Sequence, residues 1–455
     1  MKLSNLIKMA AVAAALTLGG SPLAGSESRS DWKAHWITPS LSQSATNTWI
    51  SYRKEFKVSE CPDRLVARIS ADSKYWMWIN GELAVFEGGL KRGPFPNGTY
   101  YDKVDIAPFL KEGDNTIAIL LWHFGKQGFS HNSSGQAALI FEAVSPGLEI
   151  LSDQSWVCAL NPAYGSTDAP HPNYRLPESN IRFDARKDMP GWNMPGFDVR
   201  GKMHGADNVD EMAWPAMGRM AERPIPMWKD YGLKEYVSVR QSNDTLYCKL
   251  PYNAQVTPYL KVEAKGGEMV RIMTDNYFGG SANNVRAEYI TRDGVQEYES
   301  LGWMNGHEVW YIMPSGVKVV DLKYRETGYD TEFSGTFECG DPFLNELWKR
   351  SARTLYITMR DTYMDCPDRE RAQWWGDEVN ELGEAFYALS PSGQLLARKG
   401  ILELVNWQEA NGVIYSPVPA GNRVIELPLQ MLASVGWYGF HTQYWFSGDS
   451  TFVAE

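Results

Sequence analysis

The chain has 455 residues, with 44 lysines and arginines against 55 aspartates and glutamates, a formal net charge of −11. With no basic run, that balance argues against nucleic acid and anionic membrane surfaces as partners. Five scattered cysteines (Cys61, Cys158, Cys248, Cys339, Cys366) give neither a disulfide framework nor metal-ligand spacing.

Lys2 and Lys8, the apolar run 9–18 and the small residues of 19–26 read as a secretory signal over residues 1–25. The run is too short to span a bilayer, and no later segment is long and apolar enough to be transmembrane. The expectation is an exported protein, periplasmic or secreted.

From residue 32 the pattern is β. Short aromatic or alternating runs at 49–56, 65–70, 75–79 and 116–122 are broken by turn signals, Asn80-Gly81 being the strongest hairpin signal. Residues 26–147 are therefore expected to form a jelly roll or sandwich. Residues 148–335 are expected to be a β-sandwich region with a linker, irregular at first and then carrying strands at 257–262, 268–273, 308–312 and 317–324.

The period changes at Asp341, a good N-cap followed by Pro342. Phe343, Leu347, Leu355 and Met359 recur at helical spacing, and further helices are expected at 375–389, 393–409 and 428–446. Residues 336–455 thus read as αα-hairpins. Four helices cannot close a barrel of hairpins, so exposed apolar helix faces and poor solubility are expected of the chain alone.

Between the first two helices lies a charged loop, Asp365-Cys366-Pro367-Asp368-Arg369-Glu370-Arg371, followed by Trp374-Trp375-Gly376-Asp377. Carboxyl groups that can move protons or hold hydroxyls, beside flat indole faces, suit a sugar-cleaving site. A surface loop with internal ion pairs is the plainer reading, but two adjacent tryptophans argue against it. Adjacent residues cannot face one way on a helix, so Trp375 is expected to follow the core stripe and Trp374 to face the pocket. Cys366 has no histidine within twenty residues and is expected to pack rather than to attack. Glu426, in another hairpin loop, is a candidate substrate contact. No GxSxG, phosphate-binding glycine loop or HExxH is present, so no metal ligand set or cofactor is expected. Calcium in the sandwich loops stays open.

The charged loop, its helices and the order of domains resemble glycoside hydrolase family 78, the α-L-rhamnosidases. The resemblance implies β-sandwich domains followed by the first part of an (α/α)6 barrel, a multidomain β + α chain. It implies an inverting hydrolase for terminal α-L-rhamnosyl groups of polysaccharides or glycosides, with a carbohydrate substrate. Glu370 would be the general acid, provided that Arg369 and Arg371 are turned aside or engaged with other acids. Asp365 and Asp377 would accept hydrogen bonds from sugar hydroxyls, and Arg369, Trp374 and Trp375 would complete the subsite. The family's general base lies in the later half of the barrel and is expected beyond residue 455. Alternative readings are a non-catalytic carbohydrate-binding protein and a six-hairpin glycosidase for another sugar.

Overall fold

The computed structural model describes residues 26–28, 31–39, 45–90, 93–209, 219–279, 283–423 and 425–450. The expected signal segment lies outside them. Among the described residues no helix is long and apolar enough to cross a membrane.

The first sandwich closes two sheets on one apolar layer. Thr48–Val58 and Gly113–His123 pair antiparallel along their whole length, from Thr48 opposite His123 to Val58 opposite Gly113. Lys74–Ile79 turns back into Glu82–Gly88 through Asn80 and Gly81, with φ of 54° and 86°. Positive φ at both central residues is the turn whose twist matches a hairpin, as Asn-Gly predicted. The run 117–122 shows why one strand can be apolar throughout. Ile117, Ile119 and Leu121 enter the sandwich core, whereas Ala118, Leu120 and Trp122 meet Ile181 and Trp192 on the opposite face. Both faces of this antiparallel strand are covered, as is usual for buried sheets.

The expected boundary at residue 147 falls inside this sandwich. Leu148–Leu151, Val157–Leu160, His204–Gly205, Asp207–Asn208 and Arg219–Glu222 all pair into its two sheets. Strands of two to four residues carry too little alternation to be read from sequence. The second β unit is a sheet built around the strand Thr245–Ala264, which pairs with Met304–Ile312 and Lys318–Gly328. Tyr164–Ser166 and Ile181–Asp184 join the edge of that sheet. The segment between them, 167–180, passes beside the charged loop.

The helices follow, as expected. In α1 (Pro342–Ile357) Asp341 Oδ1 accepts from Phe343 N at 2.9 Å, satisfying a free helix-end donor. The hairpin of α2 (Trp375–Ala388) and α3 (Pro391–Asn406) turns at Ser390-Pro391, two residues earlier than expected for α3. α4 (Leu429–Ser434) continues through a π-helical turn, Val435–His441, into α5 (Thr442–Ser447), and Gly448 ends it at φ 68°. A side chain at Gly439 would meet Trp375 Cη2 at 2.9 Å, so glycine lets this helix lie against a buried indole. Trp375, Leu382, Leu396, Ile401 and Trp407 share one core with Leu90, Tyr100, Trp228 and Tyr329, which seats the helices directly on the β units. Polar links cross the same boundary. Tyr100 Oη donates to Glu403 Oε1 at 3.0 Å, and Arg360 Nη2 lies 2.5 Å from Glu87 Oε2. Away from it Phe343, Leu429, Trp437 and Trp445 are exposed, the bare apolar helix faces that the helical spacing implied.

Candidate active site

The charged loop closes on itself. Asp365 N donates to Ala372 O at 3.0 Å, and Asp365 Oδ1 accepts from Ala372 N at 2.9 Å. This clamp holds residues 366–371 out as a lobe. Within it Arg371 takes a φ of 56°, a left-handed conformation that costs a residue bearing a Cβ energy unless the surroundings enforce it. They do so here. Arg371 Nε donates to Pro367 O at 2.8 Å, Nη1 pairs with Glu178 at 3.2 Å, and the guanidinium lies 3.4 Å from the centre of the Trp303 ring.

With Arg371 turned inward, the adjacent Glu370 points the other way and is only 2% exposed. Its Oε2 accepts from the Trp374 indole at 2.8 Å. Its Oε1 accepts from Arg175 Nη1, a residue of the crossing segment 167–180, and lies 3.0 Å from Arg369 Nε. Arg371 is therefore turned aside as the sequence reading requires, but Arg369 is not. A second cation, unforeseen, sits on the same oxygen. Neither arginine forms a two-pronged pair with Glu370.

Asp365 and Asp377 both sense Glu370. Burial, with added repulsion from Glu370 and Asp377, pushes the Asp365 carboxyl up to about 6. Burial and the Glu370 charge also raise Asp377, an exposed residue in the first turn of α2. Asp368, beside Asn276, is pushed by burial to about 7. Asp365 and Asp368 thus hold protons above the usual carboxylate range. The Cys366 thiol donates to Asp365 Oδ2 at 3.1 Å and is itself pushed up to about 11 by burial, which suits packing and not attack.

The two tryptophans divide as the helical period demands. Trp374 is half-buried beside Glu370, with its ring edge-on to Phe129 at 5.8 Å. Trp375 is 0% exposed in the helical core, its Nε1 donating to Ser434 Oγ at 2.7 Å. The reading of Trp375 as a substrate contact is therefore corrected: no ligand can reach an indole enclosed on all sides. Glu426 is exposed in a two-residue strand opposite Tyr415, apart from the contacts that tie residues 365–377 together.

Sequence reasoning missed Arg175, Glu178 and Phe129. All three precede the helices by about half the chain, in segments without a periodic pattern, and only the folded chain brings them to the lobe. Among the described residues no three His, Cys, Asp or Glu side chains converge as a metal-binding group.

Residues 332–455 match the family described as the bacterial alpha-L-rhamnosidase 6 hairpin glycosidase domain. An α-L-rhamnosidase of Alteromonas sp. (strain LOR) is 23% identical over 397 residues, which cover 78% of this chain and 41% of that protein. The α-L-rhamnosidase from Dictyoglumus thermophilum shares the fold with a TM-score of 0.73 at 20% identity, over 90% of this chain and 49% of that one. The Streptomyces avermitilis α-L-rhamnosidase complexed with L-rhamnose gives 0.69 at 17% identity, over 88% and 42%. The chain thus spans less than half the length of each of these three relatives. The resemblance to the α-L-rhamnosidases carried by residues 365–377 agrees with the family match, the curated relative and the shared fold.

Proposed function

We propose that the chain serves in an exported glycoside hydrolase that removes terminal α-L-rhamnosyl groups, with Glu370 as the general acid and inversion at the anomeric carbon. The observation that carries the reading is the lobe itself. A nearly buried glutamate is aimed by an indole N–H, flanked by two further acids and reached by a half-open tryptophan. Similarity to proteins named α-L-rhamnosidases supports the sugar. The leader-like pattern of the first residues supports export.

In this mechanism the substrate's glycosidic oxygen displaces the Arg175 and Arg369 contacts on Oε1. Trp374 keeps hold of Oε2, so Glu370, which takes up a proton from solvent on Oε1 as the cations leave, presents one oriented O–H to the glycosidic oxygen. Asp365 and Asp377 take hydrogen bonds from ring hydroxyls. Inversion requires a second carboxylate roughly 6.5–9.5 Å from Glu370, across a water on the far side of the sugar.

Glu370→Gln tests the assignment in the intact protein. Hydrolysis of alkyl rhamnosides, whose leaving groups need a proton, is expected to fall by about 10²–10⁴-fold, the usual worth of general acid catalysis. Rhamnosides of acidic phenols should lose far less. Equal, small losses on both would remove Glu370 from the acid role. Anomeric configuration of the first-formed rhamnose, followed by NMR, tests inversion.

A further inference from the structure

Tyr174 is 70% exposed, a large ring left bare beside the most enclosed carboxylate of the lobe. Its place is fixed by the backbone around it. Asn173 N donates to Asn283 O at 3.2 Å, Asn173 Oδ1 accepts from Arg175 N at 3.1 Å, and Leu176 N donates to Asn173 O at 3.0 Å. Arg175 O in turn accepts from Phe129 N at 2.9 Å. The ring therefore stands on an anchored loop, so a ligand that stacks on it loses little to the ordering of the chain.

One guanidinium ties that ring to the acid. Arg175 Nε donates to Tyr174 Oη at 3.3 Å while its Nη1 donates to Glu370 Oε1. The aromatic rings form a second route to the same carboxylate. Phe129 meets Tyr174 edge-on at 6.2 Å and Trp374 at 5.8 Å, and Trp374 donates to Glu370 Oε2. Phe129 is buried and acts as the support, leaving Tyr174 and Trp374 as the reachable faces.

We propose that Tyr174, backed by Phe129, forms a subsite for the group that departs when the glycosidic bond breaks. The inference rests on Glu370 being the acid. A general acid protonates the leaving oxygen, so what lies one ring-width beyond it on the side away from the cleaved sugar is the leaving group. The occupant is a ring with a flat apolar face, either a phenol or the next pyranose of a glycan, stacked on Tyr174. The β units thereby select the leaving group while the helical lobe performs proton transfer.

The test is calorimetric titration of the intact protein with three thio-linked probes that resist cleavage, two with a ring in the leaving group and one without: phenyl 1-thio-α-L-rhamnoside, a thio-linked rhamnosyl-glucose and methyl 1-thio-α-L-rhamnoside. Tyr174→Ala should weaken at least one ring-bearing probe by about five-fold, the worth of one aromatic contact, and leave the methyl thioglycoside unchanged. Tyr174→Phe, which keeps the ring, should stay within about two-fold of the parent. Whichever ring-bearing probe responds identifies the occupant as aryl or sugar. Unchanged affinity for both in Tyr174→Ala, with the methyl thioglycoside still bound, overturns the subsite and leaves the rhamnosidase reading intact. Failure of the parent protein to bind any of the three overturns that reading and the subsite with it.

Discussion

Two buried glutamates near the start of α2 are handled in opposite ways. Glu370 accepts from Arg175 and the Trp374 indole on its two oxygens and has Arg369 as a further ion-pair neighbour. Glu378, at 0% exposure inside the helical core, has no protein hydrogen-bond partner on either oxygen among the described residues. The nearby Lys399 is already engaged, by both oxygens of Glu403 and by Asp361 O at 2.6 Å. Burial, reinforced by Glu403, pushes Glu378 up to about 8. A buried carboxyl group needs either a cation or a proton. In the lobe Glu370 meets Arg175 from the β units and the lobe's own Arg369, whereas Glu378 inside the helical hairpin keeps a proton instead.

The largest effect should come from breaking the buried ion pair at this junction. Arg371 and Glu178 are both buried, and their pairing fixes the left-handed turn that aims Glu370. Glu178→Ala leaves the guanidinium without its carboxylate and should cost about 3–5 kcal/mol, the usual penalty for halving a buried pair. Urea unfolding followed by tryptophan fluorescence measures it. A loss under about 1 kcal/mol would place this junction with exposed pairs and break the contrast. A companion loss of activity larger than the stability loss explains would tie the junction to the aim of Glu370.

The next effect concerns the proton on Glu378. Its folded-state value, about 8, lies above the ordinary 4.5. The native state therefore holds a proton that the unfolded chain has released. The stability this contributes is complete below about pH 4.5 and is lost as pH rises through 8. Burial also pushes Glu381 up to about 9, which extends the decline. Stability measured from pH 5 to 8 should fall, by an amount on the order of a few kcal/mol from Glu378. Glu378→Gln, which keeps the shape and removes the titration, should flatten that slope. An unaltered slope in the variant would mean that Glu378 is ionised in the fold, and the two glutamates would no longer differ.

How much of this could be read in the sequence differs from group to group. The lobe was legible because its acids, arginines and tryptophans are neighbours in the chain, and the helical period separated Trp374 from Trp375 correctly. The order of β units and helices followed from patterns repeated over many residues. Glu378 was legible too, though it was passed over: Trp375, Glu378, Leu382, Ala385 and Leu389 form one helical stripe, with an acid among its apolar members. Arg175, Glu178 and Phe129 were not legible. Their roles exist only through contacts across 193 to 245 residues, from loops whose local sequence is constrained by turns and not by the acid they serve. The short strands of 148–222 were hidden for a similar reason, since a strand of two residues is defined by its partner and not by its own alternation.

The smallest expected effect is the most discriminating. Alanine normally improves a helix interior over glycine by about 0.5–1 kcal/mol. At Gly400 in α3 an added Cβ would lie 1.8 Å from Glu378 Oε1 and 3.2 Å from Gln373 Oε1, neither atom having another partner among the described residues. The clash should outweigh the propensity, so Gly400→Ala is expected to destabilise by about 1–3 kcal/mol. In a Glu378→Ala background the obstacle is gone and the same substitution should change sign, becoming stabilising by about 0.5 kcal/mol or more. Both oxygens crowd one point on α3, a geometry that a protonated carboxyl can satisfy by donating to the amide oxygen and an ionised one cannot. A Gly400→Ala cost that persists without Glu378 would place the carboxyl elsewhere, and the protonated state inferred for Glu378 would fail with it.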